Sequence, residues 1–445
     1  MKGRRPNMRT SRREFLTGTA TLAAAAGLTA ATETRAQAAP PAAAQVEPFW
    51  GEHQGGIVTP VQKRSYFVAF DLTTNKRSDI ADLLRAWTIA AARLAEGKTA
   101  QPLEEGLQPI MVSKPHTKAY DQYLPSNLTG VAADSGEALG LSPNRLTVTF
   151  GFGPSLFLKD GVDRYGLAAQ RPSALVDMPR FVGDQLVEGH TGGDISVQAC
   201  ADDEQVAFHA VRQLARIAAD IATIRWAQSG FLPDRPGDET PRNLMGFKDG
   251  TVNPPTTDPT ATAKFVWVGE EGPQWMRGGS YLIVRRIRMA LEHWDRMKTE
   301  FQEQTIGRHK YSGAPIGQSH EFDALDLDAN DKDGNPVIPE NAHVRLAAAA
   351  TNDGAQFLRR PYSYNDGVNF TAERWPPWRQ GLEYDAGLFF VAYQRDPRSG
   401  FIKVYERMAK FDMMNQFVTH VGSGLFACPR GVEPGGFIGQ ELFDA

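Results

Sequence analysis

The sequence is poor in cysteine and contains no long apolar run. It has only two cysteines, Cys200 and Cys428, among 445 residues, which excludes a disulfide scaffold and any Cys-x-x-Cys metal or redox motif. No apolar stretch reaches the roughly 20 residues that a membrane-spanning helix needs. The formal net charge is only −4, which argues against a nucleic-acid-binding protein. We therefore expect neither a membrane span nor a nucleic-acid partner.

Two common catalytic motifs are also missing. There is no Gly-x-x-x-x-Gly-Lys-Ser/Thr phosphate loop and no Gly-x-Ser-x-Gly nucleophile elbow. The chain does have enough apolar material for a full core, because 41% of its residues are hydrophobic and only 22% are charged. Its length suits one large domain or two packed halves.

The first 38 residues have the pattern of an export signal. A basic head contains Ser11-Arg12-Arg13-Glu14-Phe15-Leu16, an apolar stretch covers about 18–31, and Ala36-Gln37-Ala38 is a small-x-small cleavage site. Twin arginines followed by Phe-Leu are typical of twin-arginine export, which carries folded proteins. We predict a signal peptide over 1–38 and a periplasmic protein; an ordinary secretory signal and a disordered basic tail are the alternatives.

The apolar pattern predicts an α+β fold. Runs rich in aromatic and β-branched residues predict strands, and apolar residues at helical spacing predict helices. The predicted strands are Ser65–Leu72, Leu146–Phe152, Asp194–Cys200, Ser280–Ile287 and Gly387–Gln394. The predicted helices are Asp79–Leu94, one that begins after an Asp202 cap, Met289 to about Phe301, and about Phe401 to Phe417.

These elements follow a similar order in the two halves of the chain. A stretch rich in Pro, Gly and Asp, Pro233–Pro241, separates the halves. We therefore predict a linker over 39–60, an N-terminal module over 61–232 and a C-terminal module over 233–445.

The nine histidines do not form a zinc motif, because none are arranged as His-x-x-x-His or His-Glu-x-x-His. A single histidine can still bind a haem iron from one side. His343 is the best candidate, since it opens an apolar run at Ala342–Ala347. By residue type alone, a structural histidine is the commoner alternative.

The segment Gly246–Pro254 (GFKDGTVNP) allows two interpretations. Asp-Gly and Asn-Pro form turns readily, so the segment could be a surface loop. Alternatively, the glycines around Asp249 let the backbone approach a flat ligand closely. A single carboxylate beside that ligand could then move protons.

The whole set of segments resembles the dye-decolourising haem peroxidases. GFKDGTVNP matches their Gly-x-x-Asp-Gly signature, and further matching segments follow in the right order from about 151 to 401. They include GFGPSLF, GGDISVQACADD, RGGSYLIVRRIRM, IGRHKYSGAPIG, HVRLA, LRRPYSYNDG and AGLFFVAYQRDPRSGF. With the twin-arginine signal, the chain is most similar to the exported deferrochelatase/peroxidase subgroup of bacterial ferrous-iron uptake.

The resemblance implies two ferredoxin-like α+β modules with antiparallel sheets, and one haem b in the C-terminal module. Carried over by motif, His343 is the proximal iron ligand, Asp249 the distal carboxylate and Arg359 the distal arginine. Gly250, Thr251 and Val252 line the haem, and Arg308 is the propionate partner. From its place just before the GLFF strand, Asp385 is predicted to be the acceptor behind His343. The family often has Asn-Pro-Arg after HVRLA, whereas this chain has Ala348–Ala350.

The implied activity is reduction of hydrogen peroxide coupled to oxidation of an organic reductant such as a dye, a phenol or a porphyrinogen. A haem-handling protein that releases iron from haem, with incidental peroxidase activity, is the alternative, and a haem-free binding protein of the envelope is a third. A homodimer and contacts with other components of a ferrous-iron uptake system stay open.

The two cysteines are predicted to be unpaired. A chain that folds in the reducing cytoplasm before export cannot depend on a disulfide, and cysteine is often buried as a small apolar side chain. Cys200 follows apolar neighbours at a strand end, which suits burial.

Overall fold

Strand β1, Arg64–Leu72, shows how the sequence builds the fold. Phe67 and Ala69 point to one face of the strand and Val68 and Phe70 to the other, because side chains alternate along a strand. All four side chains are buried. A strand buried on both faces needs a packed layer on each side.

The computed structural model describes residues 45–102, 133–234, 239–372 and 380–444.

Over its described residues, 45–102 and 133–234, the N-terminal half is a β-α-β-β-α-β unit with one additional short helix. After β1 come α1, Arg77–Ala95; β2, Thr147–Phe152; the short α2, Pro154–Phe157; β3, Ile195–Ala201; α3, Glu204–Ile217; and β4, Ala222–Phe231. The strands pair antiparallel in the order β2-β3-β1-β4.

The C-terminal half repeats this strand order with longer connections. Its elements are α4, Pro259–Phe265; β5, Ser280–Met289; α5, Leu291–Trp294; α6, Thr299–Ile306; α7, His343–Ala347; β6, Leu358–Arg359; β7, Tyr362–Ala372; β8, Gln380–Gln394; α8, Lys403–Phe411; β9, Val418–Cys428; and α9, Gln440–Phe443. The order is β9-β5-β8-β7, and the two-residue β6 pairs with β8 beyond the end of β7.

The two sheets are joined at both edges. Strand β2 meets β9 at Phe152 and Ala427, and β4 meets β7 at Phe231 and Ser363. The space between the sheets is filled by apolar side chains from both halves: Phe67, Ala69, Trp226, Leu282, Val284, Phe389, Val391 and Tyr393. The described residues therefore form one compact unit rather than two independent ones.

Helices α1 and α3 cover the outer face of the N-terminal sheet. Ile80, Leu84 and Trp87 of α1 belong to the same buried cluster as Val68 and Phe70 of β1. The Trp87 indole also donates a hydrogen bond of 2.8 Å to the carbonyl of Leu214 on α3. The other face of β1 is thus available for the layer between the sheets.

The α+β prediction with two antiparallel ferredoxin-like sheets is confirmed, because each half places its strands in the order fourth, first, third, second. Two predicted helices are wrong in extent. Residue Met289 ends β5, and α5 and α6 follow it in place of one helix. Helix α8 ends at Phe411 and a 3₁₀ turn, Met413–Gln416, follows.

One smaller prediction is also corrected. The N-cap of α3 is Asp203, whose carboxylate accepts from the Val206 amide at 3.0 Å, and not Asp202.

Residues 45–60, which belong to the predicted linker, have no helix or strand. Gln54 and Ile57 within them are buried, so this stretch is packed onto the folded unit.

Some predictions fall outside the described residues. The signal peptide over 1–38, the first part of the linker and residues 235–238 of the predicted boundary belong to this group. Within the part of the chain that the structure describes, no helix is long and apolar enough to cross a membrane.

Both cysteines are free and buried in the described fold. Cys200 lies on β3, where its sulfur is 3.6 Å from the hydroxyl of Tyr362. Cys428 ends β9 beside Ser280 of β5. Burial raises the pKa of both thiols, so neither is a reactive thiolate.

Thiol counting tests this arrangement. We expect both thiols to react when the protein is denatured without a reducing agent, because the fold uses them as small apolar side chains. The measurement is titration with a thiol reagent together with the intact mass. Two blocked thiols and a monomer mass lower by two hydrogens would contradict it.

Candidate active site

A cavity lies against the outer face of the C-terminal sheet. Its volume is about 260 Å³. Ile287 and Met289 of β5 and Leu388 and Phe390 of β8 line it from the sheet. These four side chains alternate with those that fill the space between the sheets, so the pleat of β5 and β8 separates the cavity from that inner layer.

The segment Gly246–Pro254 forms one wall of the cavity. Its start is held by Asn243, whose Oδ1 accepts from the amides of Met245 at 3.1 Å and Phe247 at 3.3 Å. Gly250 has a φ of +113°, a conformation in which a residue with a Cβ would be strained. The turn at Asp249 therefore depends on glycine, and it points the carboxylate into the cavity.

Asp249 is paired with Arg359 across this wall. The Nη1 of Arg359 donates to Oδ1 of Asp249 at 3.0 Å, and Nη2 donates to the carbonyl of Val252 at 3.4 Å. The Asp249 side chain is 16% exposed and that of Arg359 is 26% exposed. A carboxylate and a permanent cation therefore meet at one place in the cavity.

His343 lines the same cavity as the first residue of α7. Its Nδ1 lies 2.7 Å from Oδ2 of Asp412, whose side chain is 3% exposed. The carboxylate accepts the Nδ1 hydrogen, so the neutral ring has its lone pair on Nε2, where a metal ligand needs it. Asp412 itself is fixed by the 3₁₀ turn, since Oδ1 accepts from the Met414 amide at 2.8 Å.

The pKa of His343 is raised above its ordinary value. Burial acts to lower this pKa, but the charge of Asp412 and its hydrogen bond outweigh burial. Arg359 and Asp249 have smaller effects of opposite sign on the same pKa. The three groups therefore lie close enough to influence one another electrostatically.

The predicted acceptor behind His343 is wrong. The sequence pointed to Asp385, but this carboxylate accepts from Nη2 of Arg286 at 2.9 Å. Asp385 shares a strand face with Phe389 and Val391, which fill the space between the sheets. The pleat of β8 therefore directs Asp385 away from the cavity, and Asp412 takes the role.

The remaining predicted residues also line the cavity. Gly250, Thr251 and Val252 belong to the wall, and Arg308 stands at the end of α6. The Nη1 of Arg308 donates to the carbonyls of Gly313 and Glu321, at 2.7 and 2.8 Å. These two bonds fix the guanidinium in the wall, and burial lowers its pKa.

Glu321 is a site residue that the sequence reasoning missed. Its carboxylate accepts from Lys248 and, at 3.0 Å, from the hydroxyl of Thr251, so it holds the segment on both sides of Asp249. Burial acts to raise the pKa of Glu321, but these partners and Thr240 lower it overall. No spacing rule connects Glu321 to the Gly-x-x-Asp-Gly motif, and an isolated glutamate carries no sequence signal.

The residues of the cavity fit a haem. Its walls are mainly apolar, His343 offers a nitrogen already oriented by a carboxylate, and Arg308 supplies a cation for an acidic substituent. The Ala348–Ala349 pair, where the family often has Asn-Pro, leaves only methyl groups at one edge of the cavity. Two histidines, His343 and His420, are among the described residues that line the cavity. Nδ1 of His420 accepts from Nε of Arg285 at 2.9 Å, whereas Nδ1 of His343 is held by the carboxylate of Asp412, the arrangement that suits a metal-binding histidine.

Comparisons with known proteins agree with this geometry. A family model for the N-terminal part of Dyp-type peroxidases matches residues 54–232, and one for the C-terminal part matches residues 240–433. The chain belongs to the DyP-type peroxidase family. Its fold and enzyme class are therefore those of a DyP-type peroxidase.

Individual relatives carry two different names. The chain is 39% identical over 408 residues to a "Dye-decolorizing peroxidase" from Thermobifida fusca, covering 88% of this chain and 84% of that protein. It is 35% identical over 447 residues to a "Deferrochelatase" from Escherichia coli O6:K15:H31, covering 97% of this chain and 96% of the other.

Solved structures are similar over most of the chain. A DyP-type peroxidase from Streptomyces coelicolor matches with a TM-score of 0.77 and 39% identity, over 90% of this chain and 98% of the other. A DyP-type peroxidase from Cellulomonas bogoriensis matches with a TM-score of 0.74 and 36% identity, over 90% and 99% of the two chains.

The pairing of His343 with Asp412 can be tested by haem transfer. We expect Asp412→Ala to speed the loss of haem to excess apomyoglobin by about 10- to 100-fold, because His343 loses the carboxylate that orients its ring. His343→Ala should retain the least haem of all. The matched control is Asp385→Ala, which should release haem at the wild-type rate. Equal release from the Asp412 and Asp385 variants would contradict the assignment.

Proposed function

We propose that this DyP-type peroxidase is a haem b enzyme in which His343 binds the iron and Asp249 and Arg359 act on hydrogen peroxide. The observation that supports this proposal most is the Asp249–Arg359 ion pair at 3.0 Å in the wall of the cavity that His343 also lines. The wall offers a proton carrier and a fixed cation beside the place where peroxide would bind.

When bound, haem would supply the redox chemistry, including the two electrons needed to cleave the O–O bond of peroxide, and His343 would hold its iron. Asp249 would remove the proton from one oxygen of peroxide. The same carboxylate would give the proton to the other oxygen, which would leave as water. Without this transfer the leaving group would be hydroxide, a much poorer one.

Arg359 has a separate task. Its guanidinium stays charged throughout the pH range of the reaction and stabilises the negative charge that develops on the departing oxygen. Its bond to Asp249 also holds the carboxylate in the wall of the cavity. Carboxyl groups titrate well below imidazoles. We therefore expect activity at lower pH than a peroxidase with a distal histidine would show.

The organic reductant returns the two electrons in single steps. The side chains of Asp249 and Arg359 are only 16% and 26% exposed. We therefore propose that bulky dyes react at the protein surface or at the haem edge, while peroxide reacts inside.

Iron release from haem is the second candidate function. The 35% identity to deferrochelatases over 97% of this chain favours it. Such a reaction exchanges the iron for two protons on the porphyrin nitrogens, so its product is free protoporphyrin. Chromatography of the porphyrins after incubation with haem, with and without peroxide, separates this function from peroxidase turnover.

The distal assignment is tested by stopped-flow spectroscopy of the haem-loaded protein. We expect Arg359→Leu to bind haem normally but to slow the reaction of the ferric protein with peroxide by a factor on the order of 10². Asp249→Asn should slow it as well, since an amide cannot carry the proton. Arg407→Leu, which removes an exposed arginine of α8, is the control. Wild-type rates in both distal variants would disprove the assignment.

We further propose export through the twin-arginine pathway, based on the sequence of residues 1–38. Arg12→Lys combined with Arg13→Lys should leave an unprocessed precursor in the cytoplasm, since the pathway reads the paired arginines. The control is Arg4→Lys combined with Arg5→Lys, which conserves the charge in the same way. No Phe-Leu follows this arginine pair, so the control variant should be exported normally. Processed protein in the periplasm from the first variant would point to the general secretory route.

A further inference from the structure

Asn253 contacts the backbone of Arg359 with both ends of its side-chain amide. Its Nδ2 donates to the Arg359 carbonyl at 2.8 Å, and its Oδ1 accepts from the Arg359 amide at 3.1 Å. Asn253 stands four residues after Asp249 in the same segment. It therefore joins the loop that carries the carboxylate to the strand that carries the cation.

This contact uses the free edge of β6. Leu358 and Arg359 pair with Tyr393 and Ala392 of β8, and the amide of Arg360 donates to the Val391 carbonyl at 2.8 Å. Backbone groups alternate between the two sides of a strand. The amide and carbonyl of Arg359 therefore face away from β8, and Asn253 satisfies both, as a neighbouring strand would.

The side chains of Asp249 and Arg359 hold each other less firmly than this backbone contact does. Their ion pair can be broken by a water molecule or by substrate, and the second bond of the guanidinium, to the Val252 carbonyl, is long at 3.4 Å. On the other side, Thr251 is tied to Glu321 at 3.0 Å. The segment from 251 to 253 is thus anchored at both ends, once by Glu321 and once by Arg359.

We propose that Asn253 is a positioning residue of this peroxidase, which sets the placement of Arg359 relative to Asp249 for the reaction with peroxide. The proposal rests on the roles proposed above for these two residues. An amide suits the task because it offers one donor group and one acceptor at the same time. Aspartate at this position would place a carboxylate oxygen against the Arg359 carbonyl and lose the donor.

The first experiment measures the reaction of haem-loaded protein with peroxide. We expect Asn253→Ala and Asn253→Asp to retain the wild-type haem content and absorption spectrum but to react about 10- to 100-fold more slowly, since small misplacements of reacting groups cost this much. Asn253→Asp removes the hydrogen-bond donor but keeps the side-chain volume, whereas Asn253→Ala removes both. Comparing the two variants therefore separates these effects. Asn330→Ala, at an exposed asparagine of the loop before α7, is the matched control and should react like wild type.

A double-mutant cycle then shows whether Asn253 acts through Arg359. In an Arg359→Leu background, adding Asn253→Ala should slow the reaction little further, because the group it positions is already gone. If Asn253 only stabilised the fold, Asn253→Ala would slow the reaction by the same factor in the wild-type and Arg359→Leu backgrounds. That result would overturn the proposal. Wild-type rates in the single Asn253 variants would overturn it too.

Hydrogen exchange gives a readout that does not depend on activity. The Arg359 amide should exchange faster in Asn253→Ala than in wild type, as measured by mass spectrometry with residue-level fragmentation. Unchanged exchange would overturn the proposal. If Arg359→Leu alone reacts like wild type, the proposed distal role fails, while faster exchange would still show that Asn253 holds the strand.

Discussion

The pleat of strands β5 and β8 is the constraint on which the rest of the structure depends. One face of these strands packs against the N-terminal sheet through Leu282, Val284, Phe389 and Val391. The other face forms the sheet wall of the cavity. Since a shift of one residue would exchange the two faces, the register of β5 with β8 fixes the inner layer and the site together.

That constraint explains which parts of the site could be predicted from the sequence. Asp249, His343 and Arg359 belong to short segments that match the family, and the structure brings all three to one cavity. Asp385 directly precedes the buried part of β8, but it lies on the same side of the strand as Phe389 and so faces the inner layer. The alternation of side chains along β8 predicts that Asp385 faces the inner layer and not His343.

Asp412 and Glu321 could not be predicted in this way. Asp412 lies 69 residues after His343 and reaches it only because α8 ends at Phe411 and a 3₁₀ turn follows. The sequence suggested a helix through Phe417, which would have placed Asp412 inside a helix rather than at a cap. A contact between loops depends on where the elements stop, and helix ends are the boundaries that sequence patterns define least well.

The charges of the site are arranged so that each has a different partner. Lys248 is adjacent to Asp249 in sequence, yet it forms its ion pair with Glu321. Asp249 is paired with Arg359 instead. Asp412 is committed to His343. These partners come from segments more than 60 residues apart, so the pairs can form only once the C-terminal sheet and its connections are in place. The site is therefore a product of the tertiary fold and not of any single segment.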